Sequence, residues 1–279
     1  MTRFWKGFWA LLIGVPLLAF TVWGLRDNPR LFVVTLLNSL TLASLYFIVA
    51  SGFTLVFGLM RNVNLAHGSL YLLGGYLGFF TAQFTGSWLL ALAAAGVNVN
   101  LVFATTFAIG AGLAGFGGVI GAVELSMVPG EDTRLLLASL VVVIGVALWL
   151  FLNRTRIGMM IRAGVDDRAM LAAAGVNVNL VFATTFAIGA GLAGFGGVIG
   201  AVELSMVPGE DTRLLLVSLV VVIVGGMGSV VGAAVGAAIF GLAETYGLAY
   251  APTYSVVFTF VILVLVLAFR PRGILGRPA

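Results

Sequence analysis

Between Leu31 and Met60 the chain carries no charged side chain, and between Asn62 and Val123 it again carries none. A bilayer span needs about 20 mostly apolar residues, so uncharged runs of 30 and 62 residues leave few choices of architecture. Charged residues are 9% of the chain and hydrophobic residues 61%, whereas soluble domains carry roughly 25% charge. A water-soluble fold of this size cannot hide that much apolar surface. The runs are continuous rather than alternating, which argues against a transmembrane barrel. The sequence therefore predicts an all-α, polytopic helical membrane protein. It reads as one transmembrane domain over 1–279, with eight to ten spans and broken or re-entrant segments.

Charges wall off the runs and orient them. Arg3 and Lys6 precede the apolar run Phe8–Leu25, a basic start that also suits a signal peptide, but no A-x-A site follows, and Trp5, Trp9 and Trp23 sit near its ends like interfacial anchors of a retained helix. Further runs cover Leu135–Leu152, Leu180–Val202, Leu214–Ala243 and Thr245–Phe269. Arg154, Arg156, Arg162 and Arg168 share the segment 153–179, and Arg270, Arg272 and Arg277 gather near the C-terminus. Arginine clusters of this kind face the cytoplasm. Both termini and the 153–179 loop are expected inside a multi-pass protein of the plasma (inner) membrane. The turns Pro129–Arg134 and Pro208–Arg213 are expected outside. Arg26 and Arg30 run mildly against this scheme.

Leu92–Ile144 reappears as Leu171–Ile223, and the single difference is Ala138 against Val217. Transporters contain structural repeats, but usually with weak sequence similarity. Packing supplies no reason for two copies to stay identical. If both copies share an orientation, the span entering the first one is compressed to Thr85–Ala95, shorter than a bilayer crossing. Either a broken or re-entrant element, buried by other protein, resolves that conflict, or the first copy inserts poorly.

Few residues can carry chemistry. There is no cysteine, one histidine and one lysine, Lys6. The chain contains no H-E-x-x-H, G-x-S-x-G or P-loop sequence, so no enzyme, metal or cofactor site is expected. If ATP drives this protein, another polypeptide binds it. The net charge of +4 fits cytoplasmic arginines better than nucleic-acid binding. Asn62, Asn64, His67 and Gly68 interrupt two apolar segments. They read either as a plain polar turn or as a broken helix whose polar groups line a translocation region. His67 is expected to act through hydrogen bonds and shape rather than as a proton relay. Glu244 interrupts an otherwise uncharged stretch from Leu214 to Ala268. It must face protein or water, near the outer end of a helix that Pro252 terminates. The small residues of Gly225–Gly236 suit close helix contact or a broken helix.

The segment Gly58–Tyr76, GLMRNVNLAHGSLYLLGGY, resembles the signature of branched-chain amino-acid ABC transporter permeases of the LivH type. Leu37–Gly58, Ile157–Asn177, Gly225–Gly236 and Arg270–Gly276 resemble the same family in the same order. The resemblance spans about 31–93 and 150–279, and the first repeat copy departs from it. It implies a permease subunit that works with two cytoplasmic ABC ATPases, a second permease and a periplasmic solute-binding protein. The imported solutes would be Leu, Ile and Val or related small polar compounds. It also implies that 153–179 is the cytoplasmic coupling loop, with Arg162, Asp166, Asp167, Arg168, Ala172 and Gly175 at the ATPase contact. Asp166 and Asp167 suit the start of a short helix at Arg168 through the helix dipole. A standalone channel or secondary transporter is the competing reading.

Overall fold

A computed structural model describes residues 19–61, 63–86, 145–203 and 209–276. The first repeat copy and its Pro129–Arg134 turn lie outside the described residues, as does Asn62. Among the described residues the regular structure is entirely helical.

Local sequence sets each helix end. A short helix, α1, covers 19–27. Asn28 then accepts a hydrogen bond from Leu31 N at 3.0 Å, with Pro29 opening α2, Pro29–Met60. Helix α2 stops at Arg61, whose φ of +51° lies in the left-handed region and whose N–H bonds to Phe57 O. A five-residue connection leads to α3, Ala66–Thr85. Helix α4 covers 145–154. Thr155 caps α5, Arg156–Asp166, by accepting from Gly158 N at 3.0 Å. Asp167 caps α6, Arg168–Ala173. Then come α7, Val178–Glu203, and α8, Glu210–Gly225. Ser229 caps α9, Val230–Tyr250, and a 3-10 turn at Pro252–Tyr254 leads into α10, Ser255–Phe269.

Helix α8 begins earlier than the sequence suggests. Pro208–Arg213 reads as an outward turn, but helix starts at Glu210, so Asp211, Thr212 and Arg213 fall in its first turn. Gly209, at φ +99°, is the N-cap residue just before it. Acidic residues directly after it favour a helix N-terminus, where free amides carry partial positive charge.

Helix α2 is the post around which the others assemble, packed by α9, α7, α8 and α5. Its exposure changes along its length. Leu31, Leu36 and Leu40 are exposed, whereas Ile48 to Val56 are buried without a break. One core joins Leu45, Ile48, Val49 and Phe53 to Tyr71, Phe195, Leu214, Val221 and Phe240. A second cluster, Leu55, Leu59, Leu148, Leu152, Ile161, Leu171 and Val181, ties α5 and α6 to the far end of α2.

Small residues let the backbones meet. A Cβ on Gly74 of α3 would collide with the Gly194 backbone of α7, and one on Gly52 would lie 2.7 Å from Gly189 O. Such crossings are typical of membrane helices, where close van der Waals contact replaces the hydrophobic drive. The C-terminal segment supplies a different contact. Ile274 N and Leu275 N donate to Val224 O and Gly225 O at 2.8 and 2.9 Å, covering carbonyls that the end of α8 leaves open.

Helices α2, α7 and α9 are long and apolar enough to cross a bilayer. Around them large apolar side chains stand outward, including Leu77, Phe79, Phe80 and Phe84 of α3 and Phe260, Val264 and Phe269 of α10. That exposure suits lipid rather than water.

Candidate functional site

The polar interruption predicted around His67 includes the start of α3, whose His67 packs against α2. Asn64 Oδ1 accepts from Ala66 N at 3.1 Å, and Asn64 O accepts from His67 N at 3.1 Å, which starts α3. Asn64 Nδ2 is buried with no hydrogen-bond partner among the described residues. His67 is 1% exposed. Its Nε2 donates to Val49 O at 3.0 Å, and its ring meets Phe53 edge-on at 5.4 Å. A carbonyl only accepts, so this contact places the proton on Nε2. Gly68 lies against α8, where a Cβ would sit 2.5 Å from Asp211 O. His67 and Gly68 thus clasp α3 between α2 and α8.

Glu244 joins three helices. Tyr46 of α2 donates its hydroxyl to Glu244 Oε2 at 2.5 Å, and Arg213 Nη2 of α8 meets Glu244 Oε1 at 2.7 Å. Three helices therefore converge on one carboxylate. An intramembrane charge survives only when paired or wet, and Glu244 is paired on both oxygens. Its side chain is 17% exposed and that of Arg213 45%. The pair borders a cavity of about 620 Å³ with apolar walls from α8, α9 and α10. His67 and Asn64 do not line this cavity. The candidates of the translocation region thus divide into a buried clasp and a cavity-facing charge. Tyr46 and Arg213 were not singled out from the sequence. A tyrosine 198 residues from Glu244 leaves no sequence signal of their contact.

The 153–179 segment holds the other candidates. Asp167 Oδ1 accepts from Ala169 N at 2.8 Å and Met170 N at 3.1 Å, so the α5–α6 joint is a true N-cap. Leu171 is buried in the second core cluster and pins α6 to the bundle. Asp166, Asp167, Met170, Ala172 and Gly175 are exposed on the same segment, and Gly175 ends it at φ +80°. Arg162 Nη1 donates to Asn153 Oδ1 at 2.6 Å, bracing α5 against α4. Arg168 stands over the Phe182 ring at 5.1 Å, a cation–π contact with α7. Arg162 Nε and Arg168 Nη2 are buried without hydrogen-bond partners among the described residues. The two arginines thus brace the segment, while its acids and small residues face outward.

Among the described residues no group of three or more His, Cys, Asp or Glu side chains could hold a metal ion.

The family described as "Branched-chain amino acid transport system / permease component" matches residues 35–95 and 134–267. The stretch it skips, 96–133, lies inside the first repeat copy, whereas the whole second copy is matched. The chain is 29% identical to the high-affinity branched-chain amino acid transport system permease protein BraD of Pseudomonas aeruginosa, covering 88% of this chain and 96% of that one. It is 28% identical to the corresponding LivH proteins of Salmonella typhimurium and Escherichia coli K12, with the same shares covered. No solved structure matches the chain. A family match over most of the chain, through both the His67 connection and the α5–α6 segment, makes this protein a member of the branched-chain amino-acid transport permease family.

Proposed function

We propose that the chain is the translocation subunit of an ATP-driven importer for branched-chain amino acids or related small polar solutes. It hydrolyses no ATP itself. It works with a second permease, two cytoplasmic ABC ATPases and a periplasmic solute-binding protein. It sits in the inner membrane with eight to ten spans and both termini in the cytoplasm. The observation that carries this reading is the family match, which includes the α5–α6 segment. Support comes from α6 itself, a short helix capped by Asp167, pinned by Leu171 and exposed at Ala169, Met170, Ala172 and Ala173. An exposed, rigidly held short helix is a suitable docking element for a soluble partner.

The test is uptake of labelled leucine by proteoliposomes holding the complete assembly. Uptake is expected only with ATP on the ATPase side and with the binding protein opposite. Equal uptake by this chain alone, without ATPases, would establish the standalone channel or secondary transporter instead.

A further inference from the structure

The geometry points to a binding site for an anionic phospholipid in two adjoining cavities beside α2, α4 and α9, with its phosphate at Arg162 and one acyl chain along α2. The inference goes beyond the importer reading and does not depend on which solute is carried. The first cavity is an apolar groove of about 410 Å³, lined by Leu40 and Phe47 of α2 and by Ala234 and Ala238 of α9. The second is a smaller, more polar pocket of about 190 Å³, bordered by Thr54, Asn153, Arg162 and Ser229. Trp149 of α4 and Val230 and Val231 of α9 line both, so the groove opens onto the pocket.

The polar end is cationic. Arg162 Nη1 donates to Asn153 Oδ1 at 2.6 Å, but its Nε is buried without a hydrogen-bond partner among the described residues. Among those residues no acidic side chain lines the pocket. A buried guanidinium without a counter-charge is costly, and its planar fork of donors suits phosphate oxygens. Ser229 caps the 21-residue α9 at the same pocket, so the helix dipole adds to the positive potential. A phosphatidylglycerol headgroup brings one net negative charge to it. The ammonium of a zwitterionic headgroup would find no carboxylate there. Basic pockets between membrane helices on the cytoplasmic side suit anionic headgroups, and Arg162 belongs to the segment proposed to face the cytoplasm.

The apolar end has the reach of an acyl chain. Thr54 borders the pocket and Leu40 the groove, so at about 1.5 Å per residue the two together follow α2 for roughly 21 Å. One leaflet of hydrocarbon is about 15 Å deep, half of a slab of about 30 Å. The exposed Trp149 stands where groove and pocket meet, at the headgroup level that tryptophan favours. A soluble phosphate compound would fill the pocket and leave the groove unused. A phospholipid gains from both, since burial of its chain against apolar walls is favourable.

Native mass spectrometry of the full-length chain in detergent, with dioleoyl phosphatidylglycerol or dioleoyl phosphatidylcholine added, measures the affinity for the first bound lipid. Phosphatidylglycerol is expected to bind about fivefold more tightly, the effect of one well-placed arginine. Arg162→Gln is expected to bring the two lipids to equal affinity with phosphatidylcholine binding unchanged, a change in selectivity that misfolding does not produce. Ala238→Phe, at an exposed position in the groove, is expected to weaken both lipids in a chain that stays monodisperse. Glycerol phosphate at the same concentration is expected not to displace the lipid. Equal affinity of the unaltered chain for the two lipids, a preference that survives Arg162→Gln, or unchanged binding in Ala238→Phe overturns the site. Displacement by glycerol phosphate would give the pocket to a soluble anion and overturn the proposal. The preference is expected to persist in the complete assembly, and its loss there would give the groove to the second permease and overturn the proposal.

Discussion

His67 Nε2 donates to the Val49 carbonyl at 3.0 Å, joining the first turn of α3 to the middle of α2. The Val49 carbonyl lies on the continuously buried stretch of α2, so the bond is sealed from both water and lipid. Removing a buried hydrogen-bond partner costs about 1–3 kcal/mol, and truncation of the ring adds a void. His67→Ala is expected to lower the melting temperature and the uptake per inserted protein, with KM for leucine little changed. His67→Gln retains a donor and is expected to recover part of the loss. Full uptake and unchanged melting in His67→Ala would show that this clasp contributes nothing.

The α3–α7 crossing predicts an asymmetry between two facing glycines. A Cβ on Gly74 runs into the Gly194 backbone, whereas a Cβ on Gly194 comes no nearer than 3.7 Å to Gly74. Gly74→Ala is expected to destabilise by about 1–3 kcal/mol through overpacking, and Gly194→Ala to be tolerated. Gly191 has nothing within 4 Å of an added Cβ, so Gly191→Ala is expected to gain up to about 1 kcal/mol of helix propensity. Thermal denaturation in detergent ranks the three. Equal melting of all three would refute the packing.

Asp167→Ala removes the cap of α6, with a typical cost of about 1 kcal/mol. The expected result is a frayed α6 and weaker co-purification of the ATPases, with membrane insertion preserved. Asp167→Asn keeps the accepting oxygen and is expected to retain most of the association. Reversal of both charges, Asp166→Arg with Asp167→Arg, is expected to be worse than loss of the cap alone, because it inverts the field at the helix start. Unchanged recovery of ATPases from the charge-reversed protein would remove this segment from the coupling role.

Tyr46→Phe deletes the hydroxyl that meets Glu244 Oε2. Glu244 then keeps the Arg213 contact but loses its tether to α2. A lower melting temperature is expected, by an amount equivalent to about 1–3 kcal/mol. Tyr46→Phe combined with Glu244→Gln should cost less than the sum of the two single changes, because they remove one shared interaction. Strict additivity in that double-mutant cycle would argue against the contact.

Orientation is testable because the chain has no native cysteine. Arg156→Cys and Arg272→Cys, both at exposed positions, are expected to react with an impermeant maleimide only after cells are opened. Reaction in intact cells would invert the proposed topology.

What could be read from the sequence differs by region, for physical reasons. The limits of α2 were legible, because Arg30 and Arg61 bracket an uncharged run. The α6 start was legible too, since Asp166 and Asp167 directly before an alanine-rich segment favour a helix start through the dipole. The end of the supposed Pro208–Arg213 turn was misread, because three charged residues near a proline also suit a first helical turn. The Arg213–Glu244–Tyr46 convergence was not legible. Helices that are apolar on every side carry no periodic marker of which face meets which neighbour. In α3 and α7 that choice falls to glycines, whose partners are settled only by the assembled backbone.

The exposure gradient along α2 bears on how this protein experiences its bilayer. At about 1.5 Å rise per residue, the 32 residues of α2 extend roughly 48 Å, against a hydrocarbon slab of about 30 Å. A lone helix with so much apolar length would tilt steeply or thicken the membrane around it. Here the stretch from Ile48 to Val56 is solvated by neighbouring helices, and lipid meets α2 mainly near Leu31, Leu36 and Leu40. Hydrophobic mismatch is therefore lifted from the longest helix and passed to its neighbours. The 21-residue α9, close to one bilayer crossing, becomes the element whose fit to membrane thickness matters more.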